Sequence, residues 1–240
     1  MSNTFFKFKQ FTVHQDKCAM KVCTDACLFG AWIAQYISIK KLVANSVLDI
    51  GTGTGLLSLM LAQKAETAQI DAIEIDPLAA QQAAHNFALS PWGNRLKAEV
   101  GDVKNISTAN KYGLIISNPP FFENDLISPI RSRNVALHDA SLTLSELLFV
   151  VKKNLQNDGK FAVLLPFHRS AYFEQSAKDK GLFLEHKVLV MQTDKHGYFR
   201  AMMLFGTTEV STAESEFCIK VNGEYTTEFI GLLKDYYLNL

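Results

Sequence analysis

Short β-branched runs alternate with helical stretches along most of this chain. Val47–Ile50, Ile70–Ile75, Leu96–Val100 and Leu114–Ser117 are apolar runs of strand length, the pattern of strands buried on both faces. Phe161–Leu165, Val188–Met191 and Ala201–Phe205 continue the series, and Phe217–Val221 predicts a further strand in the tail. Apolar residues at helical spacing predict helices over residues 54–65, 77–89, 143–156 and 168–180. Thr143 with Glu146 forms a capping box, and Gly181 falls where a left-handed helix cap belongs. Thr24–Ile37 reads as an early helix with Thr24 as N-cap, and Thr226–Leu238 as a closing one.

Strands alternating with helices imply an α/β fold, a mostly parallel sheet with helices on both faces. A length of 240 residues suits one such domain. Residues 1–45 are expected as an N-terminal cap segment packing on a domain that occupies 46–240. No internal repeat, low-complexity stretch or linker breaks that plan.

Composition narrows the function classes. Hydrophobic residues at 48% and charged residues at 20% argue against long disordered stretches. No apolar run reaches the roughly 18 residues of a membrane helix, and Met1–Gln10 lacks a signal-peptide core, so a cytoplasmic location is expected. Cys18, Cys23, Cys27 and Cys218 form no Cys-x-x-Cys pair, so reduced thiols and no metal site are expected. Oligomeric state is left open, with a monomer the simpler expectation.

The zero net charge argues at first against a nucleic-acid partner, but it hides segregation. Residues 1–45 hold six lysines against two carboxylates, and residues 106–205 hold twelve cations against nine anions. The tail from 206 holds six carboxylates against two lysines. Positive segments therefore flank the motifs below, and only the fold decides whether they converge.

Val47-Leu48-Asp49-Ile50-Gly51-Thr52-Gly53-Thr54-Gly55 runs from a strand directly into a helix. Glycines there permit a tight turn and close approach of a ligand to the backbone. Asp49 precedes the first glycine, and Glu74 ends the second strand, where a carboxylate suits the hydroxyls of a ribose. A dinucleotide prefers Gly-x-Gly-x-x-Gly and a pyrophosphate, which Asp49 would repel. S-adenosyl-L-methionine fits better, because its ammonium is attracted by that carboxylate. Asp102, after the third strand, can accept from the adenine amino group.

Asn118-Pro119-Pro120-Phe121 follows the fourth strand, and in open α/β sheets such strand ends share one crevice. An exocyclic amine on an aromatic ring is a poor nucleophile because its lone pair is delocalised. Two fixed acceptors, the Asn118 side-chain oxygen and the Pro119 carbonyl, can hold both N–H bonds and aim the lone pair at a methyl donor. Phe121 offers a face for stacking an extruded base. Asn118, Pro119 and Phe121 are the catalytic candidates, and no strong base is required.

Asp49–Gly55, Glu74, Asp102 and Asn118–Phe121 together resemble the Rossmann-like class I amino-methyltransferases. More narrowly, the chain resembles the bacterial family that methylates N6 of the adenosine just 3′ of the anticodon in a valine tRNA. That likeness rests on the segment from Phe11 to Val22, on Thr24-Asp25, Gly30-Ala31-Trp32, Asn118 to Phe122, and Arg133 to His138. It implies a sheet of about seven strands, mostly parallel, whose last pair is antiparallel. It also implies that residues from Lys21 to Asp25, including Thr24, border the methionine end of the cofactor. The expected cofactor set is thus Lys21, Thr24, Asp49, Gly51, Gly53, Gly55, Glu74, Asp102 and Asn118. Cys23 stands where the family often has glycine, a departure that touches none of the chemical groups.

The stretch from Phe122 to His138 is too long for an ordinary connection and is expected to contact substrate through Phe122, Arg131, Arg133 and His138. Lys7, Lys9, Lys17 and Lys21 can extend that surface, whereas Phe5, Phe6, Phe8 and Phe11 are expected mainly to pack. Trp32, Trp92, His85 and His168 receive no chemistry. Other readings stay open at this point: a base amine in ribosomal RNA or DNA, a protein glutamine amide, or a cofactor-binding protein that only grips RNA. The glutamine-directed relatives more often carry Tyr at the position of Phe121 and have a dedicated N-terminal helical domain.

Overall fold

The structure, a computed structural model, describes residues 3–40, 45–106, 111–120 and 142–240. Its strands are β1 (Phe5–Lys7), β2 (Thr12–His14), β3 (Ser46–Ile50), β4 (Gln69–Glu74), β5 (Leu96–Val100), β6 (Tyr112–Ser117) and β7 (Leu155–Pro166). They continue with β8 (Phe183–Thr193), β9 (Tyr198–Gly206), β10 (Ala213–Val221) and β11 (Glu224–Tyr225). Helices are α1 (Thr24–Lys40), α2 (Leu56–Lys64), α3 (Pro77–Ala88), α4 (Leu144–Asn154), α5 (Phe167–Lys178) and α6 (Thr227–Leu233).

The main sheet has the order β11-β10-β8-β9-β7-β6-β3-β4-β5. Strands β3 to β7 run parallel, and β9 runs against both β7 and β8. The carboxyl ends of β3, β4, β5, β6 and β7 therefore gather along one edge. Both faces are buried: Ala162 and Leu164 of β7 join one core with Phe29 and Leu59, while Phe161, Val163 and Leu165 join the other with Leu147 and Phe173. That alternation explains why the strand reads as a continuous apolar run.

The seven strands from β3 to β9 are the expected ones, and the tail adds two more. β10 lies parallel to β8 from Ala213 to Lys220, and β11 returns through Asn222-Gly223, both at positive φ. The added strands cover a sheet edge that would otherwise present unpaired backbone. Only the second half of β10 was legible, because Ala213–Glu216 is exposed and acidic. Helix α6 is shorter than the expected Thr226–Leu238: its chain turns so that buried Tyr236 donates from its hydroxyl to the Met60 carbonyl at 3.1 Å. The β1–β2 hairpin was not anticipated. Phe8 and Phe11 stack with centroids 4.5 Å apart and are buried, whereas Phe5 remains 45% exposed.

The capping box at α4 is present, and Gly181 has φ +69°. At the end of α2, Arg95 donates from Nη1 to the carbonyls of Ala65 and Ala68 at 2.8 and 3.0 Å, and from Nη2 to Ala62 at 2.7 Å. Such carbonyls lack partners inside the helix. Arg95→Ala is expected to lower the unfolding free energy by about 2 kcal/mol, the scale of hydrogen bonds to a charged group, read from the urea midpoint at unchanged slope.

Candidate active site

β3 lies between β4 and β6, with Ile50 opposite Ile73 on one side and Ser117 on the other. The chain thus leaves β3 at Gly51 beside the point where it leaves β6 at Asn118, about 4.8 Å away at strand spacing. The Ser117 hydroxyl ties the two ends, donating to the Ile50 carbonyl at 2.9 Å in the buried interior.

Gly51, Gly53 and Gly55 have φ of +71°, +55° and +82°, where an L side chain is strained. Gly51 N and Thr52 N both donate to the Ile73 carbonyl, at 2.8 and 3.2 Å, folding the loop onto β4. A Cβ at Gly51 or Gly53 would meet nothing within 4 Å, so the loop fronts open space. Gly55 differs: its Cβ would lie 2.5 Å from Phe87 of α3, so close packing as well as conformation requires glycine.

Asp49 is fully buried. Its Oδ2 accepts from the hydroxyls of Thr52 and Ser58, each at 2.7 Å, while Oδ1 has no partner among the described residues. Burial raises its pKa to about 6, the two hydroxyls pull it down, and the Glu74 carboxylate pushes it up again. Glu74 Oε2 accepts from Gly53 N at 2.9 Å and Oε1 from Asp76 N at 3.0 Å. Each oxygen keeps a lone pair for a hydroxyl donor. Asp102 Oδ1 accepts from Lys104 N at 2.9 Å and so starts a single turn at Val103–Asn105.

Asn118 is half-buried, yet its Oδ1 is buried and without a partner among the described residues. Pro119 is buried and Pro120 exposed. Phe121, Phe122, Arg131, Arg133 and His138 lie outside the described residues.

The N-terminal segment crosses this edge of the sheet. Burial, with the Glu74 and Asp76 carboxylates nearby and Lys21 opposing them, pushes the Cys18 thiol up to about 11. Farther along, Asp25 pairs with Arg200 of β9 at 2.7 Å. Residues 18–25 therefore span from the end of β4 to β9, passing the ends of β3, β6 and β7. Lys21 Nζ is held by the Gln15 carbonyl at 2.7 Å, and Thr24 opens α1 with its side chain exposed.

Three positioning residues escaped the sequence reading. Buried Asn86 accepts from His14 N at 2.9 Å and donates to the carbonyls of His14 at 2.9 Å and Thr54 at 2.8 Å, clipping β2 to the glycine loop. Gln82, one turn earlier, accepts from Lys17 N at 3.1 Å, and buried Gln15 accepts from Val22 N at 2.8 Å. The available signal was an i, i+4 pair of amides on the alanine-lined face of α3.

The residues present fit a sulfonium-bearing nucleoside amino acid. Two buried acceptors, Asp49 Oδ1 and Asn118 Oδ1, are without partners among the described residues, the glycine loop fronts open space, and Glu74 stands at the neighbouring strand end.

Comparison with known proteins agrees. A family model described as "Methyltransferase small domain" matches residues 34–171. A protein of Dyadobacter fermentans named tRNA1(Val) (adenine(37)-N6)-methyltransferase is 42% identical over 98% of each chain. A relative of the same name from Bacteroides fragilis is 41% identical over 100% of each. A solved structure described as a predicted O-methyltransferase of Agrobacterium tumefaciens aligns with TM-score 0.67 at 14% identity, covering 90% of this chain and 100% of that one, a likeness of fold. With identity of this degree running the full length of such relatives, the chain belongs to the tRNA1(Val) (adenine(37)-N6)-methyltransferase family.

Proposed function

We propose that this chain transfers a methyl group from S-adenosylmethionine to the N6 amine of adenine 37 in a valine tRNA. The observation that carries the reading is the alignment of β3 with β6, which ends the two strands side by side at Ile50 and Ser117, with the Asn118 Oδ1 that follows buried and without a partner among the described residues. The full-length relatives bearing that activity in their names support the same substrate.

When bound, S-adenosylmethionine supplies a methyl group activated on a sulfonium. Asp49 would face its ammonium, Glu74 its ribose hydroxyls and Asp102 its adenine. Lys21 and Thr24 belong to the segment that borders the methionine end. Asn118 Oδ1 and the Pro119 carbonyl accept the two N–H bonds of the target amine and turn its lone pair toward the glycine loop. Pro119 and Pro120 fix that carbonyl in advance, so orientation is met during folding. Phe121 stacks on the extruded adenine, and Phe122, Arg131, Arg133 and His138 contact the surrounding RNA. A cytoplasmic location accompanies a tRNA substrate, and no helix among the described residues is long and apolar enough to cross a membrane.

Asn118→Ala is expected to leave the dissociation constant of S-adenosylmethionine within about threefold while cutting methyl transfer to unmodified tRNA at least a hundredfold, as removal of one fixed polar contact in other active sites does. Nucleoside mass spectrometry checks the product, N6-methyladenosine.

The raised pKa of Asp49 gives a pH dependence. Only the ionised carboxylate attracts an ammonium, so cofactor affinity is expected to fall about tenfold per pH unit below about 6. For the unliganded fold the sign is opposite. A carboxyl raised from 3.8 to about 6 favours the folded state at low pH, and that contribution is lost as pH rises through about 6. Calorimetric titrations from pH 5 to 8 check the first expectation, and Asp49→Asn should flatten the curve.

A further inference from the structure

A cleft adjoins Pro119 and Pro120 on the side away from the glycine loop. Its described walls include Leu144, Leu165, Pro166 and Arg169. Phe167, which follows the wall residue Pro166 directly in the chain and is 37% exposed, meets Tyr198 with ring centroids 5.1 Å apart and planes tilted by 55°. The Tyr198 hydroxyl donates to Glu216 of β10, which fixes that ring from behind. Both aromatics come from sheet topology: Phe167 follows the carboxyl end of β7, and Tyr198 opens the antiparallel β9, so both stand on the catalytic edge. Nothing in the chemistry proposed for Asn118 uses them.

An exposed phenyl ring beside a substrate crevice would ordinarily be buried by packing. Here Phe173, one helical face further along α5, does the packing and is fully buried, while Phe167 is left at the surface. An RNA strand whose adenosine has been extruded carries an adjacent base that has lost its stacking partner, and a phenyl face replaces that partner without reading sequence.

We infer that Phe167, braced by Tyr198, stacks on the base adjoining the reactive adenosine, and that Arg169 in the cleft wall supports the phosphodiester between the two nucleotides. This rests on the tRNA reading above and extends it to a second nucleotide. The cleft shares Pro119 and Pro120 with the proposed site of methyl transfer, and Arg169 and the neighbour of Phe167, Pro166, stand in its wall, so an RNA strand that presents its adenosine there has this surface within one nucleotide's reach.

The test uses the full-length protein and tRNA carrying 2-aminopurine at the position either 5′ or 3′ of the target adenosine, with unsubstituted tRNA assayed for methyl transfer in parallel. Binding should change the fluorescence of one of the two probes. Phe167→Ala should abolish that change and raise the KM for tRNA about tenfold, the scale of losing one base–aromatic stack. Phe167→Trp should restore both, and cofactor affinity should stay unchanged throughout. Arg169→Ala should raise the tRNA KM and reduce its salt dependence by about one counterion. Neither probe responding to Phe167→Ala, while wild type methylates unsubstituted tRNA, overturns this inference alone. Wild type failing to methylate tRNA overturns the substrate reading and this surface with it.

Discussion

Everything in this site depends on the backbone register between β3 and β6. Ile50 opposite Ser117 brings the end of one parallel strand beside the end of the other, and the Ser117 hydroxyl locks the pair from inside. Asp49 stands within that hydrogen-bonded ladder and Asn118 directly after its last pair, and the two faces of the sheet are buried by separate apolar cores. A one-residue slip would turn the buried carboxylate of Asp49 to the other face of the sheet and carry Asn118 away from the glycine loop.

That rigidity lets the fold hold polar atoms that are unsatisfied on their own. An unpaired buried acceptor costs about 1–3 kcal/mol, and among the described residues two at this edge, Asp49 Oδ1 and Asn118 Oδ1, are without a partner. Side chains free to rotate would seek partners. Asp49 is held by Thr52 and Ser58 on its other oxygen, and Asn118 precedes two prolines. The site is therefore preorganised for a ligand that brings donors. The N-terminal segment is part of the same preorganisation, because the Asn86 side chain joins it to the glycine loop through three hydrogen bonds to backbone groups of His14 and Thr54.

The seven central strands were legible because buried parallel strands leave continuous apolar runs, and their helices because Thr143 with Glu146 and Gly181 mark ends. The glycine loop was legible for the same reason its residues are needed: positive φ at Gly51, Gly53 and Gly55 leaves a mark in the sequence. What was not legible depends on tertiary partners. The β1–β2 hairpin is short and pinned by Asn86 and by packing of Phe8, and the first half of β10 is acidic and exposed on an edge. Glu74 shows a related limit. Its spacing points to a ribose ligand, whereas what the structure shows is that it holds Gly53 N and Asp76 N, a role no spacing announces. Of the expected substrate residues, Phe122, Arg131, Arg133 and His138 lie outside the described residues.

The most direct measurement is a crystal structure of the protein with S-adenosylhomocysteine. The register account predicts the thioether sulfur facing the side-chain oxygen of Asn118, the ammonium beside Asp49 Oδ1 and the ribose at Glu74. A nucleoside bound away from the glycine loop, or a sulfur turned from Asn118 toward solvent, would contradict it.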